Sequence, residues 1–144
     1  TEDTASRMRT GDRRDPRSSI FGAAKYLAML RREMPRRIPE PDRTWFAVAA
    51  YNVGLGHLED ARVLAQQAGR DPDRWEDVRE FLPLLSEERW YTQTRRGCAR
   101  GWEPVRYVDN VQAYLNILQV AGTSMAADGA PPDPELGSND TRGR

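Results

Sequence analysis

With 144 residues, 38% of them hydrophobic and four Trp among them, the chain can build one small domain around a modest core. Its 22 basic and 22 acidic side chains cancel, so no bulk field draws it toward nucleic acid or anionic lipid, and no apolar run approaches the roughly 20 residues of a membrane span. Cys98 is the sole cysteine and His57 the sole histidine, which excludes an internal disulfide and a multi-thiolate zinc site; neither metal nor cofactor is expected.

The start, Thr1-Glu2-Asp3-Thr4, lacks both an initiator Met and the basic-then-apolar pattern of a signal peptide, so the chain is expected to begin inside a longer protein. Asp15-Pro16 predicts the first helix, the Asp side chain accepting from free amides and Pro standing where its missing N–H costs nothing. Ile20, Ala23, Ala24, Leu27, Leu30 and Met34 form its stripe, and Pro35 and Pro39 end it. A second helix is predicted from near Asp42 to Asn52, followed by a sharp turn at Gly54 and Gly56. A third covers about Leu58 to Gln67, with Leu58, Ala61, Val63, Leu64 and Ala65 apolar, and stops at Gly69.

Asp71-Pro72-Asp73 predicts a turn and cap leading to a short helix through Trp75, Val78, Phe81 and Leu82, closed by Pro83. Trp90 to Gly101 reads as a loop. Glu103-Pro104 opens a last helix to about Val120, along which Tyr107, Val108, Val111, Tyr114 and Leu115 recur at helical spacing. From Ala121 the composition turns to Gly, Ala, Pro, Asp and Ser, which predicts a disordered tail over 121–144 behind a domain at 1–120. No convincing period-two run occurs, so the fold class is all-α.

Two runs carry polar groups where packing alone would favour Leu or Val. Trp45-Phe46-Ala47-Val48-Ala49-Ala50-Tyr51-Asn52-Val53-Gly54 leaves a phenol and a carboxamide beside a glycine turn; Arg106-Tyr107-Val108-Asp109-Asn110-Val111 adds a second phenol on a core-facing helix. Packing explains Asn52 as a helix carboxyl cap and Tyr51 as a core aromatic. The alternative is that two buried phenols and an amide line one groove. Elsewhere, Glu59, Asp60, Asp77 and Glu80 lie within a turn of Arg62 or Arg79 and read as solvated ion pairs, and Glu103 as a first-turn Glu favoured by the helix dipole. Trp102 reads as a core anchor, His57 as a satisfied packing residue, Cys98 as a small buried residue or a free loop thiol, and Arg31-Arg32 and Arg95-Arg96 as solvated faces.

The run Ala49-Ala50-Tyr51-Asn52-Val53-Gly54 resembles the Ala-Tyr-Asn motif of the family 1 lytic transglycosylases (SLT domain), and the Tyr107 run is similar to the Tyr-Val-x-x-Ile element that closes their groove. Leu58-Glu59-Asp60-Ala61-Arg62, Trp75-Glu76-Asp77-Val78, Leu82-Pro83-Leu84-Leu85-Ser86 and Ala99-Arg100-Gly101 read like the family's membrane-bound members, so the resemblance covers Thr1 to about Val120.

That resemblance implies a lysozyme-like (goose-type) helical domain, incomplete at its amino end, and the non-hydrolytic cleavage of peptidoglycan between N-acetylmuramic acid and N-acetylglucosamine. One Glu, in a Glu-Ser motif, protonates the leaving oxygen and then, as a carboxylate, helps the muramoyl C6 hydroxyl attack C1; a second carboxyl is unnecessary because the nucleophile lies in the substrate. No Glu-Ser pair occurs in the 144 residues. The general acid is therefore expected upstream of Thr1, with Tyr51, Asn52 and Tyr107 as substrate-binding residues. The implied partner is a peptidoglycan glycan strand, with no partner protein evident, and the implied location is the periplasm at the inner face of the outer membrane. Without an amino-terminal helix, Phe46, Val48 and Val111 are expected to be exposed. The alternative functions are a non-catalytic glycan-binding module and a helical scaffold with no sugar role.

Overall fold

The computed structural model describes residues 16–128, and among them every regular element is a helix. Helix α1 runs Pro16–Glu33, with Pro16 at its first position as the sequence predicts; Asp15, the expected cap, lies outside the described residues. Its stripe is buried only toward the carboxyl end. Leu30 and Met34 are in the core and Leu27 half-buried, but Ile20 is 68% exposed. The proline-rich link after α1 contributes the fully buried Ile38, an anchor that periodicity cannot signal because it stands outside any helix. Arg43 donates to the carbonyls of Ile38 and Arg36, so the link's backbone is satisfied by the helix that follows.

Helix α2, Asp42–Val53, buries five residues in succession, Phe46 to Ala50. A helix apolar all round is one surrounded by its neighbours, and the Ala residues let them approach closely. Phe46 and Val48 are therefore core residues and Val111 is half-buried, against the expectation that all three would be exposed. At the start of α2, Glu40 accepts from the Thr44 N–H at 3.1 Å and the Thr44 hydroxyl at 2.6 Å, and also from Arg31. Burial acts to raise the Glu40 pKa, but these donors outweigh it and hold the carboxyl below its ordinary value.

Gly54 alone makes the turn out of α2, at φ +90°, and α3, Leu55–Gln67, starts at the next residue. Gly56 thus sits in the first turn of α3 and not in a loop, because one residue at positive φ is enough to end one helix and start the next. Along α3, Leu58, Ala61, Leu64 and Ala65 are buried, while Val63 faces out. Asp60 and Arg62, expected on a solvated face, are only 7% and 5% exposed. Asp60 accepts the N–H groups of Arg95 at 3.2 Å and Arg96 at 2.9 Å, which fixes a loop 35 residues away. Arg62 pairs with Glu59 and Asp73, donates to the Pro72 carbonyl at 2.8 Å and lies 5.6 Å from the centre of the Phe46 ring. At Asp73, burial acts to raise the pKa, yet Arg37 and Arg62 hold it below the ordinary value.

The turn at Asp71-Pro72-Asp73 forms as expected, the Asp73 N–H donating to Asp71 Oδ1. The helix after it, α4, is shorter than the apolar pattern suggests, spanning only Trp75–Val78. Its Trp75 N–H donates to Asp42 Oδ1 at 2.7 Å, tying its start to that of α2, and the Trp75 ring meets Phe46 edge-on at 5.8 Å. Pro83 opens a 3₁₀ turn, Pro83–Ser86, where the sequence suggested a stop; its fixed φ suits the first position of a new turn as well as the end of an old one. Helix α5, Glu88–Tyr91, runs two residues into the segment expected to be loop, to Tyr91.

Helix α6 runs Trp102–Asp128. It begins where Gly101 lies buried against the backbone of Leu82 and Pro83, and Pro104 and Val108 enter the core. Arg79 donates to both carboxylate oxygens of Asp109 at 2.9 Å.

The contacts divide the chain into a unit that ends at Val111 and one that begins at Gln112. In the second, residues 112–128 are helical throughout, and Tyr114 and Leu115, expected to follow the core-facing spacing, are exposed. Helix also covers the first eight residues of the predicted tail, from Ala121 to Asp128; residues 129–144 lie outside the described residues. No helix among the described residues is long and apolar enough to cross a membrane.

Candidate functional site

Of the three residues singled out from the sequence, the fold brings two into contact. The rings of Tyr51, in the last turn of α2, and Tyr107, in the second turn of α6, stack with an offset, their centres 6.4 Å apart and their planes inclined by 14°. Neither phenol is buried as expected: Tyr51 is 38% and Tyr107 40% exposed. The cause lies in the helix faces. Pro104, Val108 and Val111 recur at intervals of four and three and take α6 into the core, which leaves Tyr107 about 100° round the helix, at its rim. Tyr51 follows Ala50, the last buried residue of α2, where the helix emerges from its neighbours. The pair is an aromatic platform at the surface.

Asn52 is exposed and is not the helix cap, since α2 continues to Val53 and Gly54 takes the capping position with its N–H on the Ala50 carbonyl at 2.8 Å. Among the described residues no ring contact or hydrogen bond joins Asn52 to either tyrosine. It shares the end of α2 with Tyr51 and nothing more.

A third aromatic was missed in the sequence. Tyr26 of α1 meets the Tyr51 ring at 5.5 Å with a tilt of 55°, so α1, α2 and α6 each supply one tyrosine to a connected set. The signal was present: Tyr26 precedes Leu30 by four residues, which places it on the buried side of α1. Offset and tilted ring pairs at these distances contribute about 0.5–1.5 kcal/mol each beyond the area they bury.

The carboxylates sort by partner. Glu59 pairs with Arg62 as expected, but Asp77 at 3.6 Å and Glu80 at 3.4 Å pair with Arg70, beyond the end of α3, and not with Arg79, which reaches Glu76 and Asp109 instead; Asp60 is structural. Glu103 sits in the first turn of α6, 3.5 Å from Arg100. Trp102 is 51% exposed and so is not the core anchor expected of it. His57 is half-buried, but its Nδ1 is shut away from solvent with no hydrogen-bond partner among the described residues, where a satisfied histidine was expected. Cys98 is an exposed free thiol, and Arg31, Arg32, Arg95 and Arg96 are exposed.

Residues 1–73 match the family model described as the transglycosylase SLT domain. Curated relatives named membrane-bound lytic murein transglycosylase F include one from Marinobacter nauticus, 58% identical over 118 residues that make up 82% of this chain and 24% of that protein. One from Alkalilimnicola ehrlichii is 56% identical over 119 residues, 83% of this chain and 24% of its own. One from Pseudomonas savastanoi pv. phaseolicola is 46% identical over 158 residues, covering 96% of this chain and 32% of its own. The chain thus spans about a quarter to a third of the length of these relatives.

Proposed function

Since the chain belongs to the transglycosylase SLT domain family, an all-α, lysozyme-like group, we propose that it forms part of the glycan-cleaving domain of a peptidoglycan lytic transglycosylase. The observation that carries this reading is the stacked pair Tyr51–Tyr107, because it unites at one surface the two runs that resemble the family's groove motifs although they lie 56 positions apart. Aromatic faces suit the axial C–H groups of pyranose rings, and the two hydroxyls supply oriented donors beside them.

The reaction proposed for the whole protein cuts the β-1,4 bond between N-acetylmuramic acid and N-acetylglucosamine. A carboxylic acid gives its proton to the glycosidic oxygen; the resulting carboxylate then takes the proton of the muramoyl C6 hydroxyl as that oxygen bonds to C1, leaving a 1,6-anhydro end. The acid must be held protonated near neutrality, which calls for an apolar groove. None of the Glu residues in the 144 positions precedes a Ser, so the chain by itself is expected to bind glycan strands without cutting them. We place the whole protein in the periplasm, at the inner face of the outer membrane, acting in cell-wall turnover.

The test is made in the intact protein that carries this segment. Tyr107→Phe keeps the ring and removes one oriented donor, so release of 1,6-anhydro muropeptides from sacculi should fall about 10- to 1,000-fold with little change in melting temperature. Asn52→Ala should also lower turnover. Near-normal activity in both variants rejects the site. The 144-residue chain alone should retain glycan affinity and release no 1,6-anhydro product above a buffer control.

A further inference from the structure

We propose that Tyr26 is a positioning residue for glycan binding, acting through Tyr51; this rests on the reading of Tyr51 and Tyr107 as a sugar platform. Tyr51 stands in the last turn of its helix, one residue beyond the buried run and three before a glycine at positive φ, and its side chain is part-exposed. Among the described residues its ring has two aromatic neighbours. Tyr107 is 40% exposed, so on that side Tyr51 meets a ring that is itself half in solvent. Tyr26 is different: it is half-buried, belongs to the shell packed against the core, and stands one turn before the fully buried Leu30. Of the two contacts, the 5.5 Å tilted one from Tyr26 ties Tyr51 to a ring with a fixed base. Without that edge, the Tyr51 ring can turn away from Tyr107 and the platform loses its shape before any sugar arrives. No hydrogen bond of the Tyr26 hydroxyl is found among the described residues, so the ring and not the phenol should carry the effect.

Affinity for a β-1,4-linked N-acetylglucosamine tetramer is measured on the full 144-residue chain, together with the ring resonances of Tyr51 by NMR. Tyr26→Phe should bind as the parent does. Tyr26→Leu, close in volume and apolar, should weaken binding about 2- to 10-fold, the range one aromatic pair is worth, and should shift the Tyr51 ring resonances. In a Tyr51→Leu background the same change should have no further effect on affinity, a null result that a general loss of stability would not give. Tyr26→Met serves as a second ring-free variant should Tyr26→Leu not fold. Three results overturn the proposal alone: full affinity in folded ring-free variants, an equal loss in Tyr26→Phe, or an undiminished loss in the Tyr51→Leu background. Unchanged affinity in Tyr51→Leu itself overturns the platform and the proposal together.

Discussion

Gly101 is the position where one added carbon should do most damage. A Cβ there would stand 1.6 Å from the Leu82 carbonyl oxygen, 2.3 Å from its carbon and 3.0 Å from the Pro83 nitrogen. All three are backbone atoms, so no side chain can swing aside; reaching ordinary contact at 3.4 Å requires about 1.8 Å of relative displacement between the start of α6 and the segment that carries Leu82. Overpacking by a methyl group commonly costs about 1–3 kcal/mol when side chains give way, so a backbone clash of this depth should cost about 3 kcal/mol or more. For a domain of this size that is a fall in melting temperature of about 12 °C or greater. Two other glycines separate steric collision from its alternatives. Gly54→Ala meets nothing within 4 Å among the described residues but must adopt φ +90°, ψ 149°, a region costly for L residues, by about 1–3 kcal/mol. Gly56→Ala has the flexible Arg96 side chain as its nearest neighbour, at 2.7 Å, and gains helix propensity, so it should stay within about 1 kcal/mol of the parent. Thermal and urea unfolding should rank the losses Gly101, then Gly54, then Gly56. A Gly101→Ala protein that melts within about 2 °C of the parent would refute the reasoning.

The acid limb of stability should belong to Asp73 and Glu40. Both have folded pKa values below their ordinary 3.8 and 4.5, so their contribution is complete above those values and is lost as pH falls through the folded ones; melting temperature should hold from neutrality to about pH 5 and drop below about pH 4, with Asp73→Asn flattening the drop. Asp60→Asn should cost about 1–3 kcal/mol, since the two loop N–H groups donate to different oxygens and one of these becomes an NH2 donor, and should speed tryptic cleavage after Arg95 and Arg96; unchanged cleavage there would show that the buried carboxylate does not hold the loop. Arg62→Met should cost about 1–3 kcal/mol by leaving Asp73 short of a partner, and a variant as stable as the parent would show the ion pairs to be replaceable by packing.

The sequence announces what depends on local period or local steric rule. The apolar run of α2, the Pro16 start of α1 and the stop of α3 near Gly69 could all be read from neighbours within a turn. What escaped depends on partners far along the chain. Asp60 and Arg62 look like any charged pair on a helix until the loop at 95–96 and the turn at 72–73 close over them. Ile38 is buried from a segment with no period at all. At the site, residue identity was legible but depth was not: whether a tyrosine one position from a core residue is buried or at the rim depends on the helix that packs beside it, and here both tyrosines came out at the rim.

The geometry of that rim is set by residues that take no part in it. Tyr107 reaches Tyr51 only because α6 starts against the Leu82 backbone at Gly101, sends Val108 into the core and has Asp109 held by Arg79. These three restraints differ in kind. The close approach at Gly101 and the burial of Val108 are steric and apolar, indifferent to salt; the Arg79–Asp109 pair is half-exposed, worth about 0–1 kcal/mol and screened at high ionic strength. Its loss in Arg79→Ala should therefore leave the melting temperature within a few degrees of the parent while letting α6 shift at the position two residues beyond Tyr107. Glycan affinity should fall by a few-fold in low salt and converge with that of the parent in high salt. An effect on affinity that persists at high salt would mean that Arg79 acts on the sugar directly and not through the placement of α6.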